Sequence, residues 1–294
     1  MVPRIMTEPS PSFKAKPRKP RLKLPRGACD THFHVFGPQK RFPFAPDRSY
    51  TPTCDAPKET LFAMHKQIGI ERGVVAQSAA HGFDNSAAAD LLAANQNYRG
   101  VALAPASTPA AELKRLRGQG FRGVRFHYMG HLGKGDPIED VLAMAERLAE
   151  IGWHLQIHMD GPRIAELTPA LKRSPVPVVI DHMGRIDAGK GLEHADFRAL
   201  LSLMANKHVW VKVSGAERIS RQRAPWQDAV PFARKLVAEF GDRAVWGTDW
   251  PHPNLKEVPD DGDLVDLLGE IAPTEAQRKA LLVDNPRRLY GFPA

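Results

Sequence analysis

A chain of 294 residues with 43% hydrophobic residues can bury roughly three quarters of its unfolded surface, so it needs neither disulfides nor structural metals to hold a core together. Its formal net charge is +8, but residues 1–26 hold eight Lys and Arg against Glu8 alone, which leaves +1 for the rest. That distribution excludes a nucleic-acid binder whose folded surface is basic throughout.

The same leader contains six prolines and few large apolar residues, so residues 1–26 read as a disordered or extended basic arm, either a solvated tail or a segment embracing a second subunit. The folded unit is then residues 27–294. No apolar run is long enough for a signal-peptide core or a membrane span. The expectation is a cytoplasmic monomer or homodimer with no nucleic-acid or membrane partner. Cys29 and Cys54 lack Cys-x-x-Cys spacing and read as reduced thiols without a redox task.

The first strand covers residues 28–36 and ends at Gly37-Pro38, which breaks regular structure. Successive strand side chains alternate, so His32 and His34 share a face and converge at the C-terminal end of their strand, while Cys29 points the other way, toward outer helices. A loop over residues 41–55 carries Tyr50 and three prolines. The pattern then alternates. Helices are predicted over residues 57–68, 84–97, 110–119, 138–151, 162–171, 195–204, 226–240, 264–271 and 274–283, the last opened by the capping box Thr274-x-x-Gln277. Strands are predicted over residues 72–77, 100–104, 123–126, 153–158, 177–180, 209–213 and 244–247.

Eight short buried strands, most followed by a helix, match a distorted (β/α)8 TIM barrel better than an open sheet. There is no Gly-x-Gly-x-x-Gly after the first strand, and Gly130–Gly135 lacks the Ser or Thr that follows the lysine of a phosphate loop. Polar residues gather at the predicted C-terminal strand ends: His32, His34, Arg125, His127, Gln156, His158, His182, Arg185, Arg218 and Asp249. Taken singly, His127 or His154 reads as a core histidine, Arg218 as a solvated helix-start charge and His252 as a loop cap. Taken together on one rim, they point to chemistry.

His-Val-Phe-Gly-Pro at 34–38, Asp-His-Met-Gly-Arg at 181–185 and Trp-Gly-Thr-Asp-Trp-Pro-His-Pro-Asn at 246–254 resemble the amidohydrolase superfamily, and within it the 2-pyrone-4,6-dicarboxylate lactonases. The resemblance covers residues 28–290. It implies a hydrolase in aromatic-compound catabolism in which Asp249 deprotonates water for attack on a lactone carbonyl polarised by His32, His34 and His182. It also implies that Tyr50, Arg125, His131, Arg185, Arg218 and Asn254 surround a small anionic lactone or carboxylic acid substrate. Arginine suits that task because its planar fork pairs bidentately with a carboxylate.

Three positions depart from the pattern: Ala79 stands where a serine is expected, His131 where an arginine is expected and His158 where a tyrosine is expected. The resemblance implies catalysis without a cofactor. The change to His158 opens an alternative, a Zn2+ site built from His32, His34, His158 and Asp249 that serves a decarboxylase or hydrolase of the same superfamily.

Overall fold

The structure, a computed structural model, describes residues 11–130 and 135–293. Its eight strands are β1 (Cys29–Phe33), β2 (Arg72–Ala76), β3 (Tyr98–Leu103), β4 (Phe121–Tyr128), β5 (His154–Met159), β6 (Val178–Ile180), β7 (Val209–Lys212) and β8 (Ala244–Val245). They are parallel and lie side by side in chain order. The Thr31 amide donates to the Trp246 carbonyl at 2.9 Å and the Asp249 amide to the His32 carbonyl at 2.7 Å, which brings β1 against the exit of β8. Gly247 makes this approach possible, since a Cβ there would stand 2.4 Å from the His32 nitrogen.

Around the sheet run α1 (Lys58–Ile68), α2 (Ser86–Ala94), α3 (Ala110–Gly118), α4 (Ile138–Glu150), α5 (Gly161–Leu171), α6 (Ala195–Met204), the single turn α7 (Ala216–Ile219), α8 (Val230–Phe240), α9 (Asp261–Ile271), α10 (Glu275–Lys279) and α11 (Asn285–Tyr290). The predicted barrel is therefore the fold. In α4 the buried positions Val141, Met144, Ala145 and Leu148 repeat at helical spacing, with Glu139 and Asp140 in the first turn and Arg147 in the last. Thr274 and Gln277 form the expected reciprocal cap of α10.

Two expectations are corrected. Cys29 does not pack toward the outer helices: it clusters with Val74, Val101, Tyr290 and Phe292. The cause is a register irregularity in β1 between Asp30 and Phe33. An irregular step in a strand breaks strict alternation, so Asp30 turns toward α1, where His65 Nε2 lies 3.2 Å away, while His32 turns toward Lys212.

The second correction concerns the arm. Residues 11–26 form no helix or strand, yet Phe13 to Leu22 is not a free tail. Arg18 donates through its amide to Asp260 and through its guanidinium to Asp263 and Asp266, and the Arg21 and Leu22 amides both donate to Asp266 at 2.8 Å. Phe13 packs on Trp250 with ring centroids 5.0 Å apart. Part of the arm's positive charge is matched by the acidic face of α9. Among the described residues no helix is long and apolar enough to cross a membrane.

Candidate active site

The C-terminal ends of the strands enclose a cavity of about 320 Å³, room for one ring-sized molecule. Asp249, just past β8, has a positive φ of 63°. A left-handed non-glycine residue is costly and concentrates at functional sites, and His182, Arg185 and Asn254 share the conformation. In each case the turn after a strand end lifts a polar side chain into the rim.

Asp249 is buried and holds the centre. One carboxylate oxygen accepts from Arg218 Nε, while the other, Oδ1, faces three imidazoles: His32 Nε2 at 3.6 Å, His34 Nε2 at 3.4 Å and His182 Nε2 at 3.8 Å. These separations are too long for direct hydrogen bonds of ordinary length. Burial alone would raise the Asp249 carboxyl, but Arg218, His182 and His34 outweigh it and hold the group well below the usual carboxylate range. It is ionised at neutral pH.

The three histidines differ. His34 Nδ1 lies 2.7 Å from the Ala76 carbonyl, which can only accept, so the neutral ring carries its proton there and offers a lone pair at Nε2. His32 Nδ1 lies 3.0 Å from Lys212 Nζ. An ammonium can only donate, and it lies nearer to Nδ1 than Asp181 Oδ1 does at 3.3 Å, so the His32 proton is assigned to Nε2, facing Asp249. His182 pairs through Nδ1 with Ser214 Oγ at 3.0 Å, and burial pushes its pKa down to about 3. Burial and the Lys212 charge likewise keep His32 well below the usual imidazole range. His34 and His182 line the cavity, whereas His32 lies behind Asp249.

The arginines are also distinct. Arg125 Nε donates to Asp181 Oδ2 at 2.8 Å, so Arg125 lines the cavity on a fixed stem. Arg218 is tied to Asp249 and to the Pro253 carbonyl. Arg185 has no hydrogen bond or ion pair among the described residues, and burial followed by the like charge of Arg218 lowers it to about 10. It remains a cation with capacity for an anion. Tyr50 and Asn254 line the same cavity, and burial pushes the Tyr50 hydroxyl up to about 12. His131 lies outside the described residues.

At Ala79 the expectation of a missing hydroxyl is corrected. Ser78, one residue earlier, lines the cavity and hydrogen-bonds Tyr50, while also capping the short turn at Ala79–His81. His158 lines the cavity too, but its Nδ1 faces His127 Nδ1 at 3.1 Å. Donor atoms of His32, His34 and Asp249 lie within 4.8 Å of one another, as do those of His32, Asp181 and His182, and His158 stands outside both sets. His252 is buried against Asp261 and does not reach the cavity.

Sequence reasoning missed the polar floor beneath the rim. Lys212, wholly buried, donates to the Thr31 carbonyl at 2.9 Å and to Gln156 Oε1 at 2.9 Å, besides reaching His32. Asp181 accepts from Arg125 and Gln156 and lies 3.4 Å from Lys212. Glu217, in α7, lines the cavity with its side chain 2% exposed. The available signal was parity: Lys212 shares a face of β7 with Trp210, and Asp181 opens the Asp-His-Met-Gly-Arg stretch.

Residues 29–292 match the sequence profile of a family described as amidohydrolase. The chain belongs to the amidohydrolase family. It is 46% identical over 287 residues to a 2-pyrone-4,6-dicarboxylate hydrolase of Comamonas testosteroni, covering 94% of each chain. It is 41% identical over 278 residues to a 4-sulfomuconolactone hydrolase of Hydrogenophaga intermedia, covering 92% of this chain and 91% of the other. Among solved structures it resembles that of a probable 2-pyrone-4,6-dicarboxylic acid hydrolase from Acinetobacter baumannii with citric acid bound. That likeness has a TM-score of 0.81 at 27% identity and covers 90% of this chain and 100% of the other.

Proposed function

We propose that this protein is a lactone hydrolase that opens the ring of a small carboxylated substrate of the 2-pyrone-4,6-dicarboxylate type. The observation that carries the reading is Asp249, ionised and buried, with one oxygen held by Arg218 and the other turned to His34 and His182 at the cavity wall. A carboxylate within reach of water can take its proton, and His34, with a lone pair at Nε2, can hold that water from the other side. Hydroxide adds to the lactone carbonyl carbon while His182, its ring proton assigned to Nε2 with the Ser214 hydroxyl donating to Nδ1, donates to the developing oxyanion. As the ring C–O bond breaks, the proton taken by Asp249 passes to the departing ring oxygen. The new carboxylic acid then ionises, with net release of one proton.

Substrate selection rests on Arg185, Arg125 and Arg218. Arg218 has a second consequence: an anionic substituent competing for its guanidinium would relieve Asp249 and raise its basicity when substrate is present.

We read the reaction as metal-independent. His32, His34 and Asp249 have a spacing that could hold an ion. Against it stand the Lys212 contact at Nδ1 of His32, which leaves the proton rather than a lone pair at Nε2, and Arg218 on Asp249. His158 meets His127 through Nδ1, and its donor atoms fall outside the grouping of His32, His34 and Asp249. Ultraviolet-monitored turnover of a panel of pyrone and muconolactone acids tests the proposal. Ring opening without carbon dioxide supports it, while release of carbon dioxide from a carboxylated acid would point to a decarboxylase.

A further inference from the structure

Glu217 has no part in the scheme above, yet its position demands an account. Both carboxyl oxygens are buried and have no hydrogen-bond partner among the described residues, although the side chain lines the cavity. The nearest cation is Arg218, whose Nε lies 3.8 Å from Oε1 and is already committed to Asp249. A buried polar group left unpaired costs about 1–3 kcal/mol, and native structures pair nearly all such groups, with a bound ligand serving where the chain does not.

The charges decide which form of the carboxyl fits. Around the cavity and its floor stand Arg125, Arg185, Arg218 and Lys212 against Asp181 and Asp249, a positive excess suited to an anion. An ionised Glu217 would cancel part of that excess and repel both Asp249 and the substrate. Burial and the Asp249 carboxylate push the Glu217 carboxyl up from its ordinary value, against the pull of Arg218. The neutral acid has one O–H to donate and one carbonyl oxygen left over.

We propose that Glu217 is a further substrate-contacting residue, whose carboxyl in its protonated form donates a hydrogen bond to an oxygen of the anionic substituent held by Arg185 and Arg218. This rests on the carboxylated-lactone reading for its ligand, but its test does not need turnover. Citrate, a non-hydrolysable tricarboxylate, serves as the probe in isothermal titration calorimetry on the full chain at pH 7.

Glu217→Gln keeps the size and a donor without the capacity to ionise, and its citrate Kd should stay within about threefold of the parent. Glu217→Leu removes the donor, and its Kd should rise about tenfold, the equivalent of about 1.4 kcal/mol. The melting temperature of each variant shows whether it is folded, and Glu217→Ala, which also removes the donor, takes the place of the Leu variant if that one is not. Tightening of the Gln variant by tenfold or more would show an ionised, repelling Glu217 and overturn the proposal. Unchanged binding in a folded Leu variant would overturn it as well. Citrate binding that follows the expected order in a protein that opens no lactone would refute the lactonase reading while sustaining this one.

Discussion

Replacing Lys212 with Met tests the buried floor of the site. The ammonium donates to the Thr31 carbonyl, Gln156 Oε1 and His32 Nδ1 at 2.9–3.0 Å and lies 3.4 Å from Asp181, with no access to solvent. Met fills the space but leaves two buried acceptors unpaired and Asp181 with Arg125 as its remaining close cation. Breaking one side of a buried ion pair costs about 3–5 kcal/mol, so the variant should melt well below the parent yet remain folded in the cold. The second effect is on chemistry. Without the ammonium, His32 Nδ1 can carry the ring proton and turn it to Asp181, leaving a lone pair against Asp249 Oδ1. Partners that orient metal-bound histidines are worth roughly 10- to 100-fold, and on that scale kcat should fall with KM little changed. Steady-state kinetics at 15 °C beside a thermal melt would show it. A stable variant with kcat within threefold of the parent would refute the assigned role of Lys212.

Other expectations follow from single contacts. Arg185→Met should raise KM about tenfold or more for carboxylated lactones and leave a neutral lactone unaffected; an equal effect on both would remove Arg185 from substrate binding. Arg18→Ala, which removes the guanidinium contacts to Asp263 and Asp266 at a half-exposed site, should lower stability by about 1 kcal/mol in denaturant melts, and more at low salt than at high salt. His182 remains neutral in the folded protein down to about 3, whereas an unfolded imidazole protonates near 6.5. The unfolded chain therefore binds the proton first, and stability should decline as pH falls from about 6.5 toward about 3; His182→Gln should flatten that decline. Lys212 is pushed down to about 8 by burial, against the opposing pull of Asp181, and its charged form orients His32, so kcat/KM should fall above about pH 8. An alkaline limb unchanged in Lys212→Met would count against that assignment.

The barrel was legible because eight apolar runs, bounded by turn residues, alternate with helices whose apolar spacing is clear, as in α4. The rim was legible because His32, His34, His182, Arg185 and Asp249 sit in long contiguous motifs at strand exits. What escaped was set by geometry that local pattern encodes weakly or not at all. Strict alternation places Cys29 opposite His32, and only the irregular step in β1 reverses it. Lys212 ends an apolar strand and looks like a solvent-facing charge until the closed barrel places it beneath His32. Arg18 reads as tail because its partners on α9 lie some 240 positions away. Glu217, beside Arg218 in a one-turn helix, resembles any surface pair until both its oxygens are found buried.

The most direct measurement is ring opening of 2-pyrone-4,6-dicarboxylate, followed by ultraviolet absorbance and proton release in chelator-treated protein, for the parent chain and for Asp249→Asn. Loss of the base should reduce turnover by roughly 10²- to 10⁴-fold, while the chelated parent should release one proton per ring opened at an undiminished rate. Near-normal turnover by Asp249→Asn, or activity that disappears with chelation and returns with zinc, would contradict the account.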